Sequence, residues 1–129
     1  MLKLGLILIG GGIGAVLRYM LSTFIYQYTG PSFPAGTLVV NMVGSFGIGF
    51  LSGLAERAII APDMRSFLQI GILGGFTTFS SFGLETIQLL RDGEIRFATI
   101  NVLLSNLGGL ALVMLGFIAA QAVMNRINQ

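Results

Sequence analysis

The sequence predicts an all-α membrane protein with four transmembrane helices, organised as one domain over residues 1–129. Of its 129 residues, 54% are hydrophobic and only 9% are charged, whereas a soluble domain carries about 25% charged residues. The mean hydropathy is +0.89, so the chain has too few polar side chains to cover a water-soluble core. Helices are the expected form, because lipid offers no water to satisfy backbone groups.

Four apolar segments are separated by turn signals. They cover residues 3–28, 36–54, 64–90 and 97–124. Each is near or above the roughly 20 residues that a helix needs to cross a bilayer. Their boundaries are marked by glycine, proline or charged residues, at positions 29–31, 56–57, 62–63, 91–94 and 125–126.

The third segment contains the stretch GGFTTFSSF, residues 74–82. Two glycines and four hydroxyl residues at one depth weaken a helix, because glycine is flexible and hydroxyls compete for backbone groups. We therefore predict a break at Gly74–Thr77, near the bilayer centre. Irregular backbone at that depth is tolerated only where it is buried in protein or lines a cavity. Such breaks commonly hold cations through their carbonyls.

Small residues recur at a spacing of four in all four segments. The pairs are Gly10 with Gly14, Gly11 with Ala15, Ser45 with Gly49 and Gly53, Gly71 with Gly75, and Gly116 with Ala120. Small residues at this spacing allow helix backbones to approach closely. The pattern predicts a tight bundle or a tight dimer.

Polar side chains within the apolar segments also follow helical spacing. Asn41 and Ser45 lie on one face, as do Asn101 and Ser105, and the third helix carries the stripe Thr77, Ser81, Glu85 and Gln88. Single groups of this kind often join helices by hydrogen bonds. Stripes on three helices favour a polar path instead. Phe79 and Phe82 either pack as ordinary apolar side chains or present positive ring edges to an anion.

Composition excludes several classes of function. The chain has no cysteine and no histidine, so no nucleophile–base pair or metal cluster can be assembled and an enzyme is not expected. The net charge of +2 is too small for a nucleic-acid footprint.

The basic residues are almost evenly divided between the two membrane sides. Four spans place Lys3, Arg57, Arg65 and Arg126 on one side and Arg91 and Arg96 on the other, with Arg18 nearer the second side. A clear excess of positive charge on one side normally sets orientation. The near balance leaves two interpretations open: insertion in both orientations, or orientation by a small bias.

Three motifs together resemble the CrcB/Fluc family of fluoride channels. They are GGFTTFSSF, GGGIGAVLRY at 10–19 and GTLVVNMVGSFGIGF at 36–50, and the resemblance extends over essentially the whole chain. It implies a passive, fluoride-selective channel in the cell membrane (the inner membrane of a Gram-negative host) that lowers fluoride toxicity. It also implies an antiparallel, dual-topology homodimer.

The resemblance assigns roles to individual residues. The implied fluoride pathway consists of Phe79, Phe82, Ser80, Ser81, Asn41 and Ser105. A central structural sodium ion would be held by main-chain carbonyls of Gly74 and Thr77 from both subunits. Arg18 and Glu85 are left as vestibule or structural charges. Relatives often carry Ser or Thr where this chain has Gly109 and Val113, so the outer part of the path is expected to differ.

Two other functions share some of these features. A small multidrug-type, dual-topology transporter needs a carboxylate in its first helix, but that helix carries Arg18 and the clear intramembrane acid is Glu85 in the third. A non-transporting structural subunit would use the polar stripes only to join helices.

Overall fold

The computed structural model describes residues 1–56 and 59–127. Within these residues four helical spans are long and apolar enough to cross a membrane. They are α1 (Leu2–Thr29), α2 (Ala35–Ala55), a third span divided into α3 (62–76) and α4 (Phe79–Arg91), and α5 (Ile95–Ile127). Each bound lies within three residues of its predicted position. Arg57, which the charge distribution includes, lies outside the described residues.

Two of the predicted turns depend on glycine. Gly30, with φ of 71°, follows α1, and its N–H donates to Tyr26 O at 3.1 Å. Gly93, with φ of 79°, lies between α4 and α5. Both conformations are in the left-handed region that other residues rarely adopt. The four spans are therefore separated at the points that the turn signals indicate.

A seam of glycines joins α1 to α3. The position of a Cβ added to Gly10 would lie 2.7 Å from Phe67 O and 3.0 Å from Gly71 Cα. An added Cβ on Gly14 would overlap Ile72 O, and one on Gly75 would overlap Gly11 O. The two backbones are in direct contact, which is how small residues hold membrane helices together.

A second seam joins α2 to α5. An added Cβ on Gly49 would overlap Val113 O, and one on Gly116 would overlap Phe46 O. A Cβ on Gly53 would lie 2.7 Å from Ala120 Cβ. The small-residue spacing in α2 and α5 thus corresponds to contacts within this subunit, as it does in α1 and α3.

The third span breaks near its middle, but slightly later than predicted. Gly74 remains helical, with φ of −63° and ψ of −37°, whereas Thr77 and Thr78 are extended, with ψ of 154° and 114°. Gly75 is needed for contact with α1 and not for the break. Two β-branched residues readily take the extended conformation. Thr78 also caps α4, so the break lies at Thr77–Thr78.

Wider, π-helical turns occur before this break and in the fourth span. They cover Ser66–Leu73 within α3 and Leu104–Gly108 within α5. The sequence analysis does not predict them. Such turns are frequent at functional sites, and here residues of both stretches line the same cleft.

Candidate functional site

The break opens into a cleft of about 350 Å³ between α2, the two halves of the third span and α5. The cleft brings together seven residues named above from the sequence: Asn41, Ser45, Gly74, Thr77, Phe79, Phe82 and Ser105. They are distant in sequence and meet only because the helices pack as described. Ser80 and Ser81 lie outside the described lining of this cleft.

Asn41 braces the broken backbone. Its Nδ2 donates to Thr78 O at 3.0 Å, and Thr78 N donates to Asn41 Oδ1 at 2.8 Å. In a continuous helix the Thr78 amide would donate to Gly74 O. The side chain of α2 therefore replaces the helical partner that the break removes. A carboxamide carries two N–H donors, so Asn41 retains a second N–H beside the cleft.

Thr78 caps the start of α4. Its Oγ1 accepts a hydrogen bond from Ser81 N at 3.2 Å and donates to Ser81 Oγ at 3.0 Å. Ser80 Oγ lies 3.3 Å from the same Thr78 oxygen. The two serines are thus engaged at the cap. Because Thr78 and Phe79 line the cleft, the N-terminal end of α4, with its partial positive charge, adjoins it.

Phe79 and Phe82 form a tilted pair in the cleft. Their ring centroids are 5.3 Å apart and the planes meet at 48°. Phe82 is only 8% exposed, whereas Phe79 is 80% exposed on this subunit. A tilted pair presents hydrogen-bearing ring edges, which are the positive part of the aromatic quadrupole. The two rings therefore form an apolar wall of the cleft.

The remaining polar residues of the cleft differ in their hydrogen-bond partners. Thr77 Oγ1 donates back to Leu73 O at 3.0 Å. Ser105 Oγ lies 3.4 Å from Asn101 Oδ1, and the buried Asn101 donates through Nδ2 to Thr86 Oγ1 at 3.0 Å. Asn101 therefore joins α5 to α4, as the helix-joining interpretation expects, while Ser105 faces the cleft.

Glu85 belongs to a different cluster. Its Oε1 accepts hydrogen bonds from Thr37 Oγ1 at 2.7 Å and Tyr26 OH at 3.1 Å. Its Oε2 is buried and has no partner among residues 1–56 and 59–127. The half-buried Arg18 forms no ion pair with Glu85 in the described part of the chain. Glu85 lines a second cavity of about 460 Å³, together with Gln88.

The predicted stripe on the third helix does not continue across the break. Thr77 lines the cleft, whereas Glu85 and Gln88 line the second cavity. The extended residues Thr77 and Thr78 interrupt the helical repeat, so residues before and after them no longer share a face. Spacing arguments hold only within one continuous helix.

Some cleft and cluster residues were missed by sequence reasoning. Thr37 lies four residues before Asn41, so the α2 stripe could have been extended to it. Gln69 lines the cleft but had no distinguishing spacing. Gly109 and Val113 contact α2: a Cβ on Gly109 would lie 3.4 Å from Ser45 Oγ, and Val113 packs on Gly49.

Comparisons with known proteins agree on one family. A family model described as CrcB-like protein, Camphor Resistance (CrcB), matches residues 5–117. A protein of Parabacteroides distasonis named fluoride-specific ion channel FluC is 46% identical over 128 residues, covering 99% of this chain and 100% of the relative. Proteins of the same name from Shewanella baltica and Citrifermentans bemidjiense are 45% and 46% identical, covering 95% and 88% of this chain and 96% and 92% of those relatives.

Proposed function

Because the chain belongs to the CrcB family, we propose that it is a fluoride-selective ion channel through which cytoplasmic fluoride leaves passively. It is a multi-pass protein of the cell membrane. The observation that carries the proposal is the cleft at Thr77–Thr78, where Phe79, Phe82, Asn41 and Ser105 meet. The relatives are named as ion channels, which supports the expectation that the chain is not an enzyme.

The chemistry of the cleft suits a small, strongly hydrated anion. Fluoride gives up water only where hydrogen-bond donors replace it. The cleft supplies the second N–H of Asn41, and the Ser105 hydroxyl can add a donor by exchanging its long, 3.4 Å hydrogen bond to Asn101 Oδ1 for one to the anion. The ring edges of Phe79 and Phe82 add weak positive potential without a formal charge. Weak sites of this kind let an ion enter and also leave.

We further propose that two copies assemble as an antiparallel homodimer over the cleft. Phe79 is 80% exposed although it lies beside polar groups in mid-span, so a second subunit would complete the wall. The near-even charge distribution allows both orientations.

About three lysines added after Arg126 should lock one orientation and lower flux. Coexpression with a chain carrying lysines in the 91–96 turn should restore flux, whereas terminal reporter tags showing one orientation for the unmodified chain would refute dual topology.

A structural sodium ion at the dimer axis fits the residues near the break. The Thr78 amide donates to Asn41 instead of to the Gly74 carbonyl. A Cβ added to Gly74 would have only Gln69 O, at 3.8 Å, within contact distance. Gly74 therefore leaves room for a close approach. Neutral carbonyls of Gly74 and Thr77 from both subunits would bind a hard cation and add a fixed positive charge between the two pathways.

Ion flux from liposomes that contain only the purified protein tests the proposed function. We expect fluoride to leave down its gradient with an ionophore balancing the charge, while chloride stays inside. Efflux of chloride at a comparable rate would contradict selectivity. Fluoride efflux that requires a proton gradient would instead indicate a coupled transporter. The small multidrug-type alternative is not favoured, since the relatives are named as fluoride channels.

A further inference from the structure

Gln69 is the side chain that two cavities share. One is the cleft at the break. The other has a volume of about 600 Å³ and lies where α1 begins, α2 ends and α3 begins; it is lined by Lys3 and Arg65. Gln69 is half-buried in the π-helical stretch of α3, between this end cavity and the cleft.

Hydrogen bonds fix the orientation of the Gln69 amide. Arg65 Nε donates to Gln69 Oε1 at 3.0 Å, and Gln69 Nε2 donates to Ser52 Oγ at 3.2 Å. The flipped amide would place its NH₂ group against the Arg65 donor, which is unfavourable because a guanidinium has no acceptor. Arg65 therefore holds Gln69 with its donor end directed away from the charge. The Nε2 group carries a second N–H beyond the one given to Ser52.

The charge of the end cavity favours anions. Lys3 and Arg65 line it, and no acidic side chain is among its described lining residues. Two cations around a concave mouth raise the local concentration of small anions. Gln69 is neutral, so an anion drawn in by the cations meets a donor that binds it without a formal charge and then releases it.

We propose that the Gln69 amide binds the anion on its way between the end cavity and the cleft, and that Arg65 positions this amide. The proposal rests on the proposed function, because it names where fluoride enters the same pathway. Fluoride would accept the second N–H of Gln69 Nε2 and pass from there to the donors beside Phe79 and Phe82.

Fluoride efflux from liposomes separates this role from a purely structural one. Gln69→Met keeps the length of the side chain and removes the donor. We expect about a tenfold lower flux at low fluoride, which corresponds to one hydrogen bond to a charged acceptor. Gln69→Glu should lower the flux further, since a carboxylate repels the anion. The matched control is Gln121→Met, which changes an exposed glutamine of α5 that lines neither cavity.

Ionic strength provides the readout that a structural role would not change. Arg65→Met should reduce flux strongly in about 10 mM salt. In about 1 M salt, where charges are screened within about 3 Å, the part of the deficit due to the lost charge should disappear, and the part due to the unpositioned Gln69 amide should remain. Arg65→Lys should still attract anions through its positive charge, but it should no longer hold the Gln69 amide in its orientation. If Gln69→Met does not yield folded protein by gel filtration, Arg65→Met decides the question.

Wild-type flux in Gln69→Met, or full recovery of Arg65→Met flux in about 1 M salt, would overturn the Gln69 proposal while leaving the channel function standing. A wild-type protein that passes no fluoride would instead contradict the proposed function itself. The two failures are therefore distinguished within one set of measurements.

Discussion

Gly74 and Gly75 are neighbours in sequence but lie on two very different faces of α3. The face of Gly75 and Gly71 contacts the α1 backbone so closely that a Cβ on Gly75 would overlap Gly11 O. The face of Gly74 and Gln69 opens to the cleft, where a Cβ on Gly74 would meet only Gln69 O at 3.8 Å. The comparison shows that one face holds the subunit together, whereas the other is left free for an ion or a second subunit.

The largest effect is expected on the packed face. Gly75→Val should prevent formation of folded protein, because the overlap is with backbone, which cannot rotate away. Gel filtration in detergent measures the yield of monodisperse protein. Gly5→Val is the matched control, since an added Cβ there has nothing within 4 Å. Normal yield from Gly75→Val would show that the two faces do not differ as described.

The open face should respond differently to the same change. Gly74→Val is expected to leave a folded subunit but to abolish the dimer and its flux, because the branched side chain would crowd the proposed sodium site.

Wild-type protein prepared in N-methylglucamine salts should likewise lose dimer stability and flux. A sodium gradient across the membrane should have no effect, and flux that follows such a gradient would indicate coupled transport. Crosslinking of reconstituted protein measures the dimer.

Asn41 connects the open face to α2, and its loss should have an intermediate effect. Asn41→Ala removes both partners of the Thr78 backbone, which leaves a donor and an acceptor unsatisfied at a cost of about 2 to 6 kcal/mol. Thermal unfolding in detergent should show this loss of stability, with reduced flux. For the stability measurement Asn106→Ala is a suitable control, since within residues 1–56 and 59–127 the Asn106 amide donates only to Val102 O of its own helix. Equal stability of the two variants would argue against the brace.

The smallest of these changes is expected for the two rings. Phe79→Ile and Phe82→Ile keep apolar bulk and remove the positive ring edge, which is worth about 1 kcal/mol. Each should lower fluoride flux by roughly fivefold in the liposome assay, with the dimer intact. Phe24→Ile, at an exposed ring of α1, should leave flux unchanged. Wild-type rates of fluoride flux in both cleft variants would show that the rings only pack as apolar side chains and do not bind the anion.

Sequence reasoning succeeded where the signal is local. Hydropathy and turn residues predict all four spans, because insertion in lipid depends on each segment's own composition. The glycine seams were also predictable as close contacts, although not which helices they join. The observed break lies at Thr77–Thr78, slightly later than predicted. Its position depends on Asn41, which lies 37 residues before Thr78 in another helix.

The site was predictable only in part for a related reason. Phe79, Phe82 and Asn41 lie in recognisable motifs and meet in one cleft. Ser80 and Ser81 are in the same motif, but the Thr78 cap engages them. Gln69 is a single polar residue in an apolar run, and only the packing of Arg65 and Ser52 around it gives it a direction.

The Asn41–Thr78 brace also bears on how the chain is synthesised. During translation α2 enters the membrane before the third span, so the carboxamide is already in place when Thr78 arrives. A peptide of residues 62–91 alone lacks Asn41, and its Thr78 amide has the Gly74 carbonyl as the helical partner within reach. We therefore expect the isolated segment to cross a bilayer as a straight helix. On this expectation the third span would acquire its interruption when α2 docks, so that the threonines and the Thr78 cap permit the break and Asn41 completes it.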